Sequence, residues 1–474
     1  MANLFSNLQQ KYEQVFDRQL KIAVTGLSRS GKTAFITSFI NQLLTLDGNK
    51  SSLPFFRAAA KGWIKGATIV PQTDLTLPTF PYQQNLKALQ GENPTWPQAT
   101  TDISVIRLAL KYELPKSLWR KMSEVNFSNQ QTLYIDIIDY PGEWLLDLPL
   151  LKLDYAHWST SGHFLAHPLR TELAQAWLQA LESFDPLAPA DHEQIATIAQ
   201  EYTKFLFACK EKGLEFIQPG RFVLPGSYTN APVLQFFPLV NVTEQTWEQL
   251  LNHAKKHHES GIAILIQRYK TYVQTFVENF YQQHFARFDR QVILVDCLTP
   301  LNHSAIAFQE TQQALEQIFQ HFQYGKRNLW HRLFAPQIDK LVFAATKVDH
   351  ITSDQVANLK SLLQQLAQNN NRQANYYNID TAFIPIASIR ATRQVVLTQE
   401  GQTYQALQGR LKQNYESKYL YPGSVPAHLP EASFWQQHTF AFDDFAPLPL
   451  TPHGKIESIG MDQVFEVLLG DKLK

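Results

Sequence analysis

The stretch GLSRSGKTAF, Gly26 to Phe35, limits the fold more than any other part of the chain. It follows the apolar run KIAVT and leads into a segment where Phe35, Phe39 and Leu43, and likewise Ile36, Ile40 and Leu44, recur at helical spacing. Strand, loop, helix is the reading this order supports. The loop itself fits GxxxxGK(S/T) in the strand-to-helix context that pattern requires. Glycines let backbone N–H groups curl around phosphate oxygens, and the helix N-terminus adds positive potential. Gly26, Gly31 and Ala34 frame the cradle, Lys32 is placed to reach the outer phosphates, and the Thr33 hydroxyl suits magnesium. Ser30 and Arg29 sit inside the loop, and Arg29 either touches phosphate or is solvated.

The chain is long, 474 residues, so one elaborated domain or two is the expectation. Lys plus Arg and Asp plus Glu both number 42, a formal net charge of zero. That balance argues against a partner gripped by bulk electrostatics, so no nucleic acid is expected. Cys209 and Cys297 stand far apart without CxxC spacing, which indicates neither a disulfide framework nor a structural zinc site. A cytoplasmic protein is expected, since there is no signal sequence and no apolar stretch approaches the roughly 20 residues that span a bilayer. Leu4, Phe5, Leu8, Tyr12, Val15 and Phe16 recur at helical spacing, so the N-terminus reads as an amphipathic helix that packs on the protein's own flank. Docking of that helix on a membrane surface is the alternative.

Further along, Gly48 to Thr101 is rich in Gly, Pro and Thr and reads as a long irregular connection. DISVIRLALKYE and QTLYIDIIDYPGEW read as a pair of consecutive strands. Beyond Trp144 the patterns become helical, with GIAILIQRYKTYVQTFVENFYQQHFARF as one unusually long helix. Strands and helices then alternate from RQVILVDCL to TAFIPIAS, the signature of a mostly parallel sheet covered on both faces. The expected organisation is an α/β domain in two parts, 1–149 and 287–474, split by a helical insertion at 150–286, with a partly β, Pro-rich C-terminal extension before a final helix.

Three later segments complete the picture. Asp139 ends an apolar strand and Gly142 follows, a DxxG arrangement in which the carboxylate can hold magnesium through water and the Gly142 N–H can contact a γ-phosphate. In ATKVDH, Thr346, Lys347 and Asp349 match (N/T)KxD. A carboxylate there accepts two hydrogen bonds from guanine and rejects adenine, which lacks that donor pair. Ser388, Ile389 and Arg390, after the next strand, are the candidate loop backing the base.

Loop, DxxG, TKVD and S-I-R occur in the order and strand positions of the Ras-like GTPases. GLSRSGKTAFIT with DYPGEW and TKVD further resembles the YcjX family of stress-associated P-loop GTP-binding proteins. The resemblance implies a Ras-like P-loop NTPase core, GTP or GDP with Mg2+ as ligands, slow hydrolysis, an unknown protein effector or regulator, and a switch role in bacterial stress. Two departures matter. Glu143 stands where small GTPases carry the Gln that orients the attacking water, and the switch threonine is Thr100 or Thr101, with Thr68, Thr73, Thr76 and Thr79 as further candidates. Lys32, Gly142 and Glu143 are the expected catalytic positions. An ATPase or small-molecule kinase on the same loop, which would call for an Arg-rich lid, and a nucleotide-binding interaction module with little hydrolysis are the alternatives. The helices after Trp144 occupy the place of a mobile switch helix, where a nucleotide-driven change could be read out.

Overall fold

A computed structural model describes residues 18–46, 53–113, 130–161, 164–283, 288–320, 338–368, 372, 379–399, 402–431, 433–437 and 440–473. The expected N-terminal helix, residues 1–16, lies outside them. In chain order the main elements are β1 (Arg18–Gly26), α1 (Lys32–Leu44), β2 (Ile64–Val70), β3 (Ser104–Glu113), β4 (Gln130–Asp139), α2 (His192–Glu211), α3 (Gly261–Tyr272), β5 (Arg290–Val295), α4 (Leu298–His303), α5 (Ala305–Gln320), β6 (Lys340–Ala345), α6 (Val356–Leu366), β7 (Asp380–Pro385), β8 (Thr392–Gln399), β9 (Gln402–Arg410), β10 (Ser417–Leu420) and α7 (Met461–Leu469). The described residues fall into two compact units, one within 1–140, 288–302 and 324–474, the other within 141–287 and 303–323.

The first unit is built on a seven-stranded sheet in the order β2-β3-β4-β1-β5-β6-β7. The five strands from β4 to β7 in that order run parallel, and β3 pairs antiparallel with both β4 and β2. This is an α/β fold with a mostly parallel sheet. Leu20, Ile22 and Val24 on one face of β1 and Ala23 and Thr25 on the other are at most 1 % exposed, as expected of a strand covered on both faces. Helix α1 buries Phe35, Ile36, Phe39, Ile40 and Leu43, the residues whose spacing marks its apolar stripe. The final helix closes the same core, with the Phe465 ring 4.7 Å from Phe39 and 5.6 Å from Phe56.

The expected irregular connection between Gly48 and Thr101 is corrected by the structure, which places β2 and short helices inside it. As an edge strand β2 has only Ile64 buried, and its register slips between Ile64 and Gly66. Such a strand lacks the clean apolar alternation that announces one. The C-terminal extension holds a three-stranded antiparallel sheet, β10-β9-β8.

The second unit is helical and its core is aromatic. Trp158 stacks on Tyr269 at 5.2 Å, Trp177 on Phe205 at 5.4 Å, and Phe236 meets Tyr272 edge-on at 5.4 Å. The long expected helix forms as α3, which continues through a π-helical stretch, Val273–Glu278, into Asn279–Gln283. Among the described residues no helix is long and apolar enough to cross a membrane.

Candidate functional site

Five parallel strands deliver their carboxyl ends to one edge of the sheet, where open α/β sheets bind ligands. At the end of β1, a Cβ on Gly26 would come within 2.7 Å of the Leu294 carbonyl oxygen, so only glycine lets the loop leave the strand there. Arg29 and Gly31 both take left-handed backbone, φ 60° and 89°, which turns the chain tightly into α1. Lys32 is 7 % exposed and its ammonium donates back to the carbonyls of Gly26 and Leu27 at 3.0 and 2.9 Å, spanning its own loop. Ser30 is buried inside the loop, and its hydroxyl has no hydrogen-bond partner.

Beside Lys32 the structure joins three oxygen-bearing side chains from three elements. The Thr33 and Thr100 hydroxyls lie 3.0 Å apart, and Thr100 donates to Asp139 Oδ2 at 2.5 Å. Asp139 is 2 % exposed and its other oxygen, Oδ1, is buried with no hydrogen-bond partner. Burial pushes this carboxyl up to about 6, against the pull of the Thr100 hydroxyl and the Lys32 charge. Hard oxygen donors with an orphaned carboxylate oxygen are what a magnesium ion takes, so the residues present fit that ion. Thr100 is in this group and Thr101 is exposed. Beneath them the Tyr140 and Thr25 hydroxyls are 2.7 Å apart, and Gln291 donates to Thr25 at 2.8 Å, tying β4 and β5 to β1 just below the loop.

At the other end of the edge, Thr346 donates its N–H to the Val295 carbonyl at 3.0 Å. Lys347 has left-handed backbone, φ 62°, and its ammonium is 2.6 Å from Asp296 Oδ2 and 2.7 Å from the Thr299 hydroxyl. Asp349 is 2 % exposed; its Oδ2 accepts the N–H groups of Ala391 and Thr392 at 2.6 and 3.2 Å, and its Oδ1 is 3.2 Å from His350 Nδ1. Burial alone would raise this carboxyl, but His350 and the two backbone donors outweigh it and hold the group below its ordinary range. His350 rests edge-on against the Phe442 ring at 5.2 Å. Ser388 and Ile389 are buried, and the segment is bridged to the chain near its C-terminus by Ala387–Ile459 backbone pairing and by the Arg390 N–H on the Glu457 carbonyl at 3.0 Å.

Gly142 and Glu143 belong to the helical unit. They open a 3-10 stretch, Gly142–Lys152, that is buried from Gly142 to Leu150. The Glu143 carboxylate pairs with Lys210 of α2 at 2.6 Å, Gln218 donates to the Leu146 carbonyl at 2.5 Å, and the Arg221 guanidinium lies over the Trp144 ring at 3.5 Å from its centroid. A buried, many-times-anchored segment differs from an exposed switch helix.

Several residues here escape a reading of the sequence: Tyr140, Lys210, Asp296, Thr299, His350, Ala391 and Thr392. Asp296 carries a usable signal, because it follows the apolar run of β5 just as Asp139 closes that of β4. Lys210, the partner of Glu143, and Ala391 and Thr392, which donate to Asp349, lie too far off in sequence to be signalled locally.

Comparison with known proteins finds relatives that match along nearly the whole chain. The chain is 45 % identical over 475 residues to the Ras-like GTPase YcjX of Escherichia coli (strain K12), with 100 % of each chain covered. It is 40 % identical over 474 residues to the Ras-like GTPase YcjX of Shewanella oneidensis, covering 97 % of this chain and 95 % of that one. A family model described as YcjX-like family, DUF463, matches residues 20–473. With phosphate loop, DxxG and TKVD segments in place and that match along nearly its whole length, the chain belongs to the YcjX-like family.

Proposed function

We propose that the chain is a magnesium-dependent GTP-binding and GTP-hydrolysing switch acting in the cytoplasm in bacterial stress. The observation that carries this reading is the Thr33, Thr100 and Asp139 cluster with its orphaned carboxylate oxygen at the foot of the phosphate loop. The relatives' name, Ras-like GTPase, supports it, and the TKVD segment at the same sheet edge supports guanine as the base. Thr33, Thr100 and Asp139 would hold magnesium, which supplies positive charge to offset that on the β- and γ-phosphate oxygens. The N–H groups of the loop and of the first turn of α1 bind phosphate, and Lys32 adds its charge beside them. Lys347 and Asp349 hold and read the base.

A second reading, a nucleotide-binding interaction module with little hydrolysis, is favoured by one observation: the Glu143 carboxylate is committed to Lys210. Calorimetry with GDP, a non-hydrolysable GTP analogue and ATP, each with magnesium, tests the reading, and phosphate release separates its two forms. Guanine nucleotides are expected to bind at about micromolar affinity or better and ATP far more weakly. Lys32→Ala is expected to lose this binding while melting as the parent does. Equal or tighter ATP binding would overturn the guanine assignment, and unimpaired GTP binding by the Lys32 variant would remove the loop from the site.

A further inference from the structure

We infer that Asp296 is a positioning residue for base recognition: it tethers the Lys347 ammonium so that the lysine stem is pre-set along one wall of the base site. This rests on the guanine-binding reading above and goes beyond it, since no motif of the sequence includes Asp296.

The placement follows from the sheet. β5 and β6 run parallel with Val295 opposite Ala345, so the next residues, Asp296 and Thr346, leave the sheet side by side. Asp296, with a side chain 10 % exposed, divides its two oxygens between two tasks. Oδ1 accepts the N–H groups of Leu298 and Thr299 at 3.1 and 2.9 Å, capping α4. Oδ2 accepts the Thr299 hydroxyl proton at 2.6 Å and faces the Lys347 ammonium at 2.6 Å. The Thr299 oxygen, its proton given to Asp296, accepts from Lys347 at 2.7 Å. Carboxylate, hydroxyl and ammonium thus form a closed triangle in which the hydroxyl proton and two of the three ammonium protons have acceptors. Burial pushes the Asp296 carboxyl up, while Lys347 and Thr299 more than reverse it, so the group is ionised at neutral pH.

The triangle matters because a lysine stem has four rotatable carbons and loses much freedom when it is pinned against a ligand. Here the pinning is done before the base arrives. The left-handed backbone of Lys347, disfavoured for any residue with a side chain, is held by the same surroundings. A purely structural role, the cap of α4, is the competing explanation, and chemistry separates the two. Asn caps a helix about as well as Asp. Asp296→Asn therefore keeps an acceptor for Leu298 and Thr299 and loses the charge that holds the ammonium.

The test is calorimetric binding of GDP and ATP with magnesium to the full chain, alongside thermal melting, for the parent, Asp296→Asn, Lys347→Met and the double variant. Asp296→Asn is expected to weaken GDP binding by roughly 10- to 100-fold, the range for a lost hydrogen bond to a charged group, while melting within about 2 °C of the parent. In the Lys347→Met background the same substitution is expected to add less than about twofold, because the two residues act as one unit. Thr299→Val, which leaves the carboxylate cap intact, weakens GDP binding in the same direction and supplies the readout should the Asn variant melt early. GDP affinity within twofold of the parent in Asp296→Asn, or an equal loss with and without Lys347, overturns the assignment alone. A parent chain that prefers ATP to GDP overturns the guanine reading and this assignment with it.

Discussion

Asp139 and Asp349 are both carboxylates, both 2 % exposed, and both stand at the carboxyl edge of the same sheet, yet their surroundings pull them in opposite directions. Asp139 accepts the Thr100 hydroxyl on Oδ2, its Oδ1 is orphaned, and burial lifts it to about 6 against that hydroxyl, the Lys32 charge and the Tyr140 N–H. Asp349 has two backbone N–H donors on Oδ2 and His350 beside Oδ1, and sits below the ordinary carboxylate range. Burial outweighs the partners of the first carboxylate, and the hydrogen-bonded surroundings outweigh burial at the second. On the proposed reading a bound cation would complete Asp139, whereas a base would be read by a group whose geometry the peptide backbone has set. Two donors use both lone pairs of Asp349 Oδ2, so a base gains that oxygen only if the Ala391 and Thr392 N–H groups yield.

The largest expected effect comes from Asp349→Asn. The change replaces an acceptor with a donor, so base preference is expected to move from guanine toward xanthine by about 10- to 100-fold, read by competition between GTP and XTP. Because the amide also faces backbone N–H groups, melting should show a loss of about 1–3 kcal/mol. A clean switch of preference with unchanged melting would break the comparison, since it would mean the backbone donors do not hold this carboxylate.

At the phosphate end, Thr100→Val is expected to weaken magnesium-dependent nucleotide binding about tenfold, while Thr101→Val stays within about twofold. Magnesium titrations of GDP binding decide it, and equal effects from the two threonines would dissolve the Asp139 cluster as described.

A further effect, read in stability rather than in binding, sharpens the contrast from outside the site. Asp147, in the helical unit, accepts the Gly220 N–H at 2.8 Å and the Tyr272 hydroxyl at 2.5 Å, and burial lifts it to about 7 despite them and the nearby Arg221 charge. A carboxyl raised in the folded state leaves stability greatest below its unfolded value and loses it as pH climbs from about 4 through 7. Asp147→Asn removes that titration and keeps an acceptor for Gly220. The fall in stability between about pH 4 and 8 is expected to shrink by roughly 1–3 kcal/mol, measured by denaturant melts. An unchanged pH profile would show that burial alone does not raise a carboxyl in this protein.

What could be read in advance was whatever is local. The phosphate loop, the stripe of α1 and the apolar runs of β3 and β4 each lie within a dozen or so residues, where spacing reports directly on burial. β2 was missed because an exposed edge strand has little burial to report. The pairing of Glu143 with Lys210, and of Asp349 with Ala391 and Thr392, joins residues that only the folded chain brings together. The TKVD segment announced a carboxylate and a lysine; it carried nothing about the donors that saturate the one or the tether that pins the other.

β1 has its two partners at very different distances along the chain, for it lies between β4 and β5, with the helical unit's main span intervening. Arg290, which begins β5 and is 0 % exposed, reaches forward again to the carboxylates of Asp339 and Asp471, the latter at 2.6 Å. On a ribosome adding about 5–20 residues per second, the loop at Gly26 waits roughly tens of seconds for the strand beside it, and longer for the helix that covers Phe39 and Phe56. The sheet edge that carries the loop is thus completed late in the making of the molecule. A chain stalled or cut before Met461 would carry the whole phosphate-binding motif and leave the core beneath it open.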